Sequence, residues 1–103
     1  MLLDTASLYF RAFYGVPDSF RAADGQPVNA VRGLLDFVAR LLTDHRPTHL
    51  VACMDADWRP DFRVAALPSY KAHRVARPGS AEEAVPDLLA PQVPVIEAVL
   101  DAL

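Results

Sequence analysis

Residues 28–55, VNAVRGLLDFVARLLTDHRPTHLVACMD, contain the two apolar patterns that decide the fold of this chain. In the first part, apolar residues recur at the spacing of one helix face. That face consists of Val28, Val31, Leu34, Leu35, Val38, Leu41 and Leu42. The pattern predicts an amphipathic helix over roughly residues 28–44, with Pro27 in its first turn. It should end at Arg46-Pro47-Thr48, because a residue that precedes proline disfavours the helical region.

The second pattern is a short, nearly continuous apolar run over residues 49–54. Such a run predicts a strand that is buried on both faces, with Cys53 as a small buried hydrophobe. Residues 1–3 are a shorter run of the same kind. The order of strand, connection, helix and strand predicts an α/β fold built on a β-α-β unit with parallel strands.

An aspartate follows each predicted strand directly, Asp4 after the first and Asp55 after the second. Ligands of such units bind beyond the carboxyl ends of the strands. Neighbouring strands lie ~4.8 Å apart, so two carboxylates there repel each other unless a cation or a proton lies between them. Oxygen ligands without a histidine or cysteine cluster favour Mg²⁺ or Mn²⁺ over Zn²⁺. On the residues alone this is a weak signal for a metal site, because any α/β protein may place an aspartate at a strand end as a cap.

The rest of the chain has weaker periodicity. Residues 59–80 contain several turn formers and predict loops with one helical turn around 61–65. Ser80 is predicted to cap a further helix, which prolines divide or kink and which is most regular over residues 95–103.

The net charge of −3 is unevenly distributed. The segment from Trp58 to Arg77 contains half of the lysines and arginines of the chain, and Asp61 is its one acid. Its basic residues are Arg59, Arg63, Lys71, Arg74 and Arg77, with His73 among them. This concentration is typical of a phosphate-binding surface, and a solvated loop is the alternative.

The length of 103 residues suits one domain or a piece of one. No apolar run approaches the ~18 residues of a membrane helix, and Asp4 interrupts any signal-peptide core, so a cytoplasmic protein without membrane partners is expected. The first strand begins at Met1 and the last helix continues to Leu103, which favours an excerpt of a larger domain over a complete small one.

Five motifs occur in a distinctive order. They are Asp4-Thr5-Ala6-Ser7-Leu8-Tyr9-Phe10-Arg11-Ala12-Phe13-Tyr14, Gly25-Gln26-Pro27 before the helix with Gly33, Arg46-Pro47-Thr48-His49, Met54-Asp55-Ala56 with Phe62-Arg63, and Tyr70-Lys71-Ala72-His73-Arg74. In this order the chain resembles the 5′-nuclease domain of bacterial DNA polymerase I and its stand-alone 5′–3′ exonuclease relatives, which are flap endonuclease-like members of the PIN-like superfamily. The resemblance is collinear over nearly all of the chain.

The resemblance implies a parallel-sheet PIN-like 5′-nuclease (resolvase-like) domain, of which residues 1–103 are the amino-terminal part. The carboxy-terminal half, with its further acidic cluster and a helix-hairpin-helix DNA clamp, is expected to be absent. The implied activity is hydrolysis of DNA phosphodiester bonds near 5′ ends, flaps or nicks in replication and repair, with a fused polymerase as one setting.

The resemblance also implies site residues. Asp4 and Asp55 match carboxylates that hold a pair of divalent cations, Mg²⁺ or Mn²⁺. Lys71 and Arg74 match basic residues that reach the scissile phosphate. The remaining matches are DNA contacts, with Arg11 and Arg63 on phosphates and Tyr70 stacking on a terminal base or sugar. Two aspartates cannot fill two coordination spheres, so the chain alone is expected to be weakly active or inactive.

Two other functions remain open from the sequence. Asp55-Ala56-Asp57 resembles the nucleophile pair of haloacid-dehalogenase-type phosphatases, although Arg59 stands where those enzymes have Thr or Ser. A non-catalytic nucleic-acid-binding fragment would also explain the basic segment and the missing carboxylates.

Overall fold

A computed structural model describes residues 1–55, 60–75 and 85–103. Its elements in chain order are β1 (Leu2–Asp4), α1 (Thr5–Gly15), α2 (Asn29–His45), β2 (Val51–Cys53), α3 (Asp61–Ala66), a 3₁₀ turn (Ala72–Arg74) and α4 (Gln92–Ala102). The chain divides into two compact units, which are Met1–Met54 with Asp87–Leu103, and Asp55–Pro86.

The first unit contains a parallel sheet of β1 and β2, in the register Leu2 to Val51, Leu3 to Ala52 and Asp4 to Cys53. The amide of Val51 donates to the carbonyl of Met1 at 3.0 Å and extends the pairing beyond β1. The terminal ammonium group donates to the carbonyl of His49 at 2.9 Å. The predicted α/β class and parallel β-α-β unit are therefore confirmed, with strands shorter than expected.

The prediction that the second strand is buried on both faces is wrong. Val51 is 52% exposed and Cys53 is also exposed, so Cys53 is not the buried hydrophobe that the sequence indicated. The physical reason is incomplete cover, since a cleft of about 320 Å³ lies between β2 and residues Glu97, Leu100 and Asp101 of α4. Burial on both faces requires a packed layer on each side of a strand.

The core of the first unit lies mainly where α1 packs on α2. Ala12 of α1 is 1% exposed, and Val31, Leu34 and Val38 of the predicted α2 face are buried, which confirms that face except at its end, where Leu42 is exposed. The helices approach closely at Gly33, because a β-carbon at that position would lie only 2.6 Å from the Ala12 Cβ. A side chain at residue 33 would therefore force the two helices apart.

A buried network of two amide side chains joins the ends of three helices. α2 begins after Val28, whose side chain cannot cap it. Instead, the Gln92 Oε1 accepts hydrogen bonds from the amides of Ala30 at 2.9 Å and Val31 at 3.3 Å. The Gln92 Nε2 donates to the Asn29 Oδ1 at 2.8 Å, and Gln92 is fully buried.

Asn29 extends this network to α1. Its Nδ2 donates to the carbonyls of Phe13 and Val16, each at 3.0 Å. The side chains of Asn29 and Gln92 thus satisfy backbone groups at the end of α1 and the start of α2, which would otherwise be costly to bury.

The later helices agree with the sequence where the structure describes them. α3 confirms the helical turn predicted around residues 61–65. α4 begins at Gln92 and confirms a regular helix over most of 95–103, with Pro94 in its first turn, where a missing N–H is tolerated. The predicted cap at Ser80 lies outside the described residues. Within the described parts of the chain, none of the helices has the length and apolar character needed to cross a membrane.

Candidate active site

Asp4 ends β1 and caps α1. Its Oδ1 accepts a hydrogen bond from the amide of Ser7 at 3.2 Å, and its Oδ2 accepts one from the Ser7 hydroxyl at 2.8 Å. The capping interpretation of this aspartate is thus confirmed. Capping does not occupy every acceptor site of the carboxylate, because an ionised carboxylate offers about four lone-pair sites. The Asp4 side chain is exposed and can still bind a cation.

Asp4, Ser7 and Arg11 are the polar residues that line a cleft of about 400 Å³ in the first unit. The remaining lining residues are apolar, namely Met1, Leu2, Leu3, Leu8 and Leu41. Ser7 and Arg11 are one helical turn apart on α1, which places them on the same face. Two of the residues suggested by the sequence, Asp4 and Arg11, therefore line the same cleft.

Ser7 was not identified from the sequence. The local signal was present, because an aspartate at a strand end followed three residues later by serine allows a hydroxyl in the first helical turn to reach back to the cap.

Asp55 lies two residues beyond the end of β2 and is exposed. It belongs to the second unit, and its joint use with Asp4 stays a prediction. Among residues 1–55, 60–75 and 85–103, no three histidine, cysteine, aspartate or glutamate side chains form a group that could hold a metal ion. Asp4 therefore fits a divalent cation in charge, exposure and oxygen chemistry, but as one member of a larger ligand set.

The second unit contains a cluster of Arg63, Tyr70 and Lys71, here called the cation–tyrosine cluster. The Arg63 Nη1 donates to the Tyr70 hydroxyl at 3.0 Å. The Arg63 guanidinium lies 5.6 Å from the Tyr70 ring centroid, and the Lys71 Nζ lies 5.2 Å from it. Arg63 and Lys71, which the family resemblance matched to DNA contacts, thus both contact Tyr70, which it matched to the same role.

This cluster changes the ionisation of Tyr70. The hydrogen bond from Arg63 is the largest cause and lowers the pKa of the phenol below its usual value, desolvation partly opposes it, and Lys71 adds a lesser lowering. The Tyr70 ring is half-buried and already bordered by two cations, so it is a less open stacking surface than the sequence suggested.

Arg74 ends the 3₁₀ turn that follows the cluster, and its amide donates to the carbonyl of Lys71 at 3.0 Å. Its side chain is exposed. Lys71 directly precedes this turn and has a left-handed backbone with φ of 52°. Asp57, Trp58 and Arg59 lie outside the described residues, as does Arg77.

The chain is similar to known proteins over its whole length. A family model described as "5'-3' exonuclease, N-terminal resolvase-like domain" matches residues 1–103. A protein named 5′-3′ exonuclease from Streptomyces coelicolor is 76% identical over 100% of this chain and 35% of its own length. One of the same name from Mycobacterium tuberculosis is 57% identical over 99% of the chain and 33% of its length.

A more distant similarity extends to a polymerase. DNA polymerase I of Mycobacterium bovis is 40% identical over 100% of the chain and 10% of its own length. The chain thus spans about a third of the exonucleases it matches and about a tenth of the polymerase.

Proposed function

The chain belongs to the 5′-3′ exonuclease family, as its N-terminal resolvase-like domain, and on that premise we propose that the protein hydrolyses DNA phosphodiester bonds near 5′ ends with divalent metal ions. The observation that carries the proposal is the cleft along β1 and α1, which both Asp4 and Arg11 line. A carboxylate can bind a divalent cation and a guanidinium can bind a phosphate, and both groups suit metal-assisted phosphodiester hydrolysis.

Asp4 and Asp55 would hold the ions, Mg²⁺ or Mn²⁺, together with ligands beyond these two residues. When bound, such ions neutralise the phosphate and promote attack by water in line with the leaving oxygen. The attack forms a new bond between phosphorus and the water oxygen and breaks the bond to the leaving sugar oxygen, which takes up a proton.

Arg11 would orient the DNA relative to Asp4. Its planar guanidinium can donate to two phosphate oxygens at once, which fixes both position and orientation. Because Arg11 lies on α1 and Asp4 caps the same helix, their spacing is set by a rigid element.

The cation–tyrosine cluster and Arg74 would bind the DNA near its 5′ end. Arg63 commits one N–H to Tyr70 and has others left for phosphate oxygens. Lys71 and Arg74 add positive charge within the same few residues. Nucleic-acid contacts of this kind depend on charge and ring faces rather than base identity, which suits a structure-specific exonuclease or flap endonuclease.

The test is cleavage of a 5′-labelled DNA duplex carrying a nick or a short 5′ flap, by the full-length protein in Mg²⁺ and in EDTA. Asp4→Asn and Asp55→Asn should each reduce the rate by about 100-fold or more, the scale of losing one preorganised electrostatic contact. Asparagine caps a helix as well as aspartate does, so Asp4→Asn should still fold. Asp44→Asn, at an exposed position near the end of α2, is the matched control and should cleave at the unchanged rate.

Three results would contradict the proposal: cleavage in EDTA, full activity of Asp4→Asn, or binding of flap DNA without any cleavage in Mg²⁺. The last would instead favour a non-catalytic nucleic-acid-binding protein. A phosphatase that uses Asp55 has no support from the comparisons, since the matching family model describes an exonuclease domain.

A further inference from the structure

We infer that Ser7 is a positioning residue, whose hydroxyl holds the Asp4 carboxylate in the orientation in which it binds a divalent cation. This inference rests on the proposed function, because it assigns a role to Ser7 through Asp4 and the metal. It concerns a residue that neither the sequence pattern nor the family resemblance singled out.

The geometry of the contact carries the inference. One residue donates to both oxygens of one carboxylate, through its amide to Oδ1 at 3.2 Å and through its hydroxyl to Oδ2 at 2.8 Å. The second distance is ideal for an O–H···O bond, whereas the first is at the long end for N–H···O. The terminal torsion of a free aspartate is broad, so two donors of fixed position restrict a rotation that is otherwise soft.

The lone pairs that remain on Asp4 are the ones available to a cation. Each carboxylate oxygen has about two acceptor sites, and Ser7 occupies one on each oxygen. Fixing the plane of the carboxylate therefore also fixes the direction of the sites that are left. The Ser7 side chain lines the same cleft as Asp4 and Arg11, so this orientation is set inside the proposed site.

The hydroxyl is the part of this contact that a substitution can remove. Ser7→Ala keeps the backbone amide and hence the cap on α1, and alanine favours the helix. The variant should fold as the natural protein does while its carboxylate turns more freely. Hydrogen-bond partners of metal-binding groups typically change metal affinity or activity by ~10–100-fold when mutated, and the exposure of this pair favours the lower end.

The experiment compares Ser7→Ala, Ser7→Thr and the natural full-length protein, with Ser19→Ala as the same substitution at an exposed loop position. Two quantities are measured: the Mg²⁺ concentration for half-maximal cleavage of a 5′-flap DNA, and the rise in Tm that Mg²⁺ produces over EDTA without DNA. Ser7→Ala should raise the half-maximal Mg²⁺ concentration about 10-fold and reduce the Mg²⁺-dependent rise in Tm. Its Tm in EDTA and its KM for DNA at saturating Mg²⁺ should be unchanged. Ser7→Thr, which keeps the hydroxyl, and Ser19→Ala should match the natural protein.

Each other outcome overturns the inference. An unchanged Mg²⁺ requirement in Ser7→Ala would show that the hydroxyl does not orient the ligand. A Ser7→Thr variant as impaired as Ser7→Ala would assign the effect to packing, and a change confined to the KM for DNA would make Ser7 a substrate contact. These results leave metal-dependent cleavage by the natural protein intact, so they differ from failure of the proposed function, in which the natural protein itself shows no Mg²⁺-dependent cleavage. That failure would overturn the inference as well.

Discussion

Replacing Gln92 with leucine should destabilise the chain far more than its single side chain suggests. In the native state the Gln92 Oε1 accepts from the buried amides of Ala30 and Val31, and its Nε2 donates to the Asn29 Oδ1. Leucine is similar in size and fits an apolar setting, but it offers no acceptor or donor. The substitution therefore removes the partners of polar groups that stay buried.

The magnitude follows from those groups. A buried donor or acceptor without a partner costs about 1–3 kcal/mol, and three buried groups lose their partner in Gln92→Leu, as does the part-buried carbonyl of Leu88. Burial of the leucine side chain offsets about 1.5–3 kcal/mol of this cost. The expected net loss is about 3 kcal/mol in the free energy of unfolding, which is a large part of the typical stability of a domain.

The assay is urea unfolding followed by helical circular dichroism, with Gln26→Ala as the control. Gln26 also donates to the region before α4, through a bond of 2.9 Å to the carbonyl of Pro91, but this contact is exposed. Its loss should cost less than about 1 kcal/mol. If the two variants lose free energies of unfolding that agree within about 0.5 kcal/mol, the buried network does not stabilise the fold.

Other expectations concern the helix contact and the cation–tyrosine cluster. Gly33→Ala should lower the free energy of unfolding by about 1–3 kcal/mol, because its β-carbon would collide with α1. In the same urea titration Gly15→Ala should be neutral or slightly stabilising, because no atom lies within 4 Å of the added carbon. Arg63→Met should raise the pKa of Tyr70 toward about 10, because the hydrogen bond from Arg63 is the largest cause of its lowering. The pKa is measured by ultraviolet titration of the phenolate, and an unchanged value would show that Arg63 does not contact Tyr70. Lys71→Ala should reduce the slope of log K against log salt for flap DNA by about 0.9, and an unchanged slope would exclude this side chain from the phosphate contacts.

The periodic parts of the fold were predictable because their signals are local. The apolar face of α2 and the run before Asp55 each lie within one continuous stretch, and together they predict the parallel unit that the structure shows. Burial of the second strand was mispredicted, because an apolar run indicates what a strand can bury and not what covers it. The exposure of Val51 shows the difference.

For the candidate site, the sequence offered a set of residues that stays a prediction, and it did not indicate their contacts. The motif order assigned Arg63, Tyr70 and Lys71 to DNA. The contacts of Arg63 and Lys71 with Tyr70, however, depend on the turns between these residues. The hydrogen-bond network of Asn29 and Gln92 could not be predicted from the sequence for a different reason. Gln92 lies 62 residues from Ala30, and nothing in either segment indicates that a glutamine replaces the missing cap of α2.

That separation also has a consequence for the order of events during synthesis. The ribosome makes α1 and α2 well before it reaches Gln92, which lies 62 residues after Ala30. At about 5–20 residues per second, the amides at the start of α2 wait about 3–12 s for their acceptor. The nascent helix pair should therefore stay open to water at that end until α4 emerges and closes it, so this part of the domain completes its folding late.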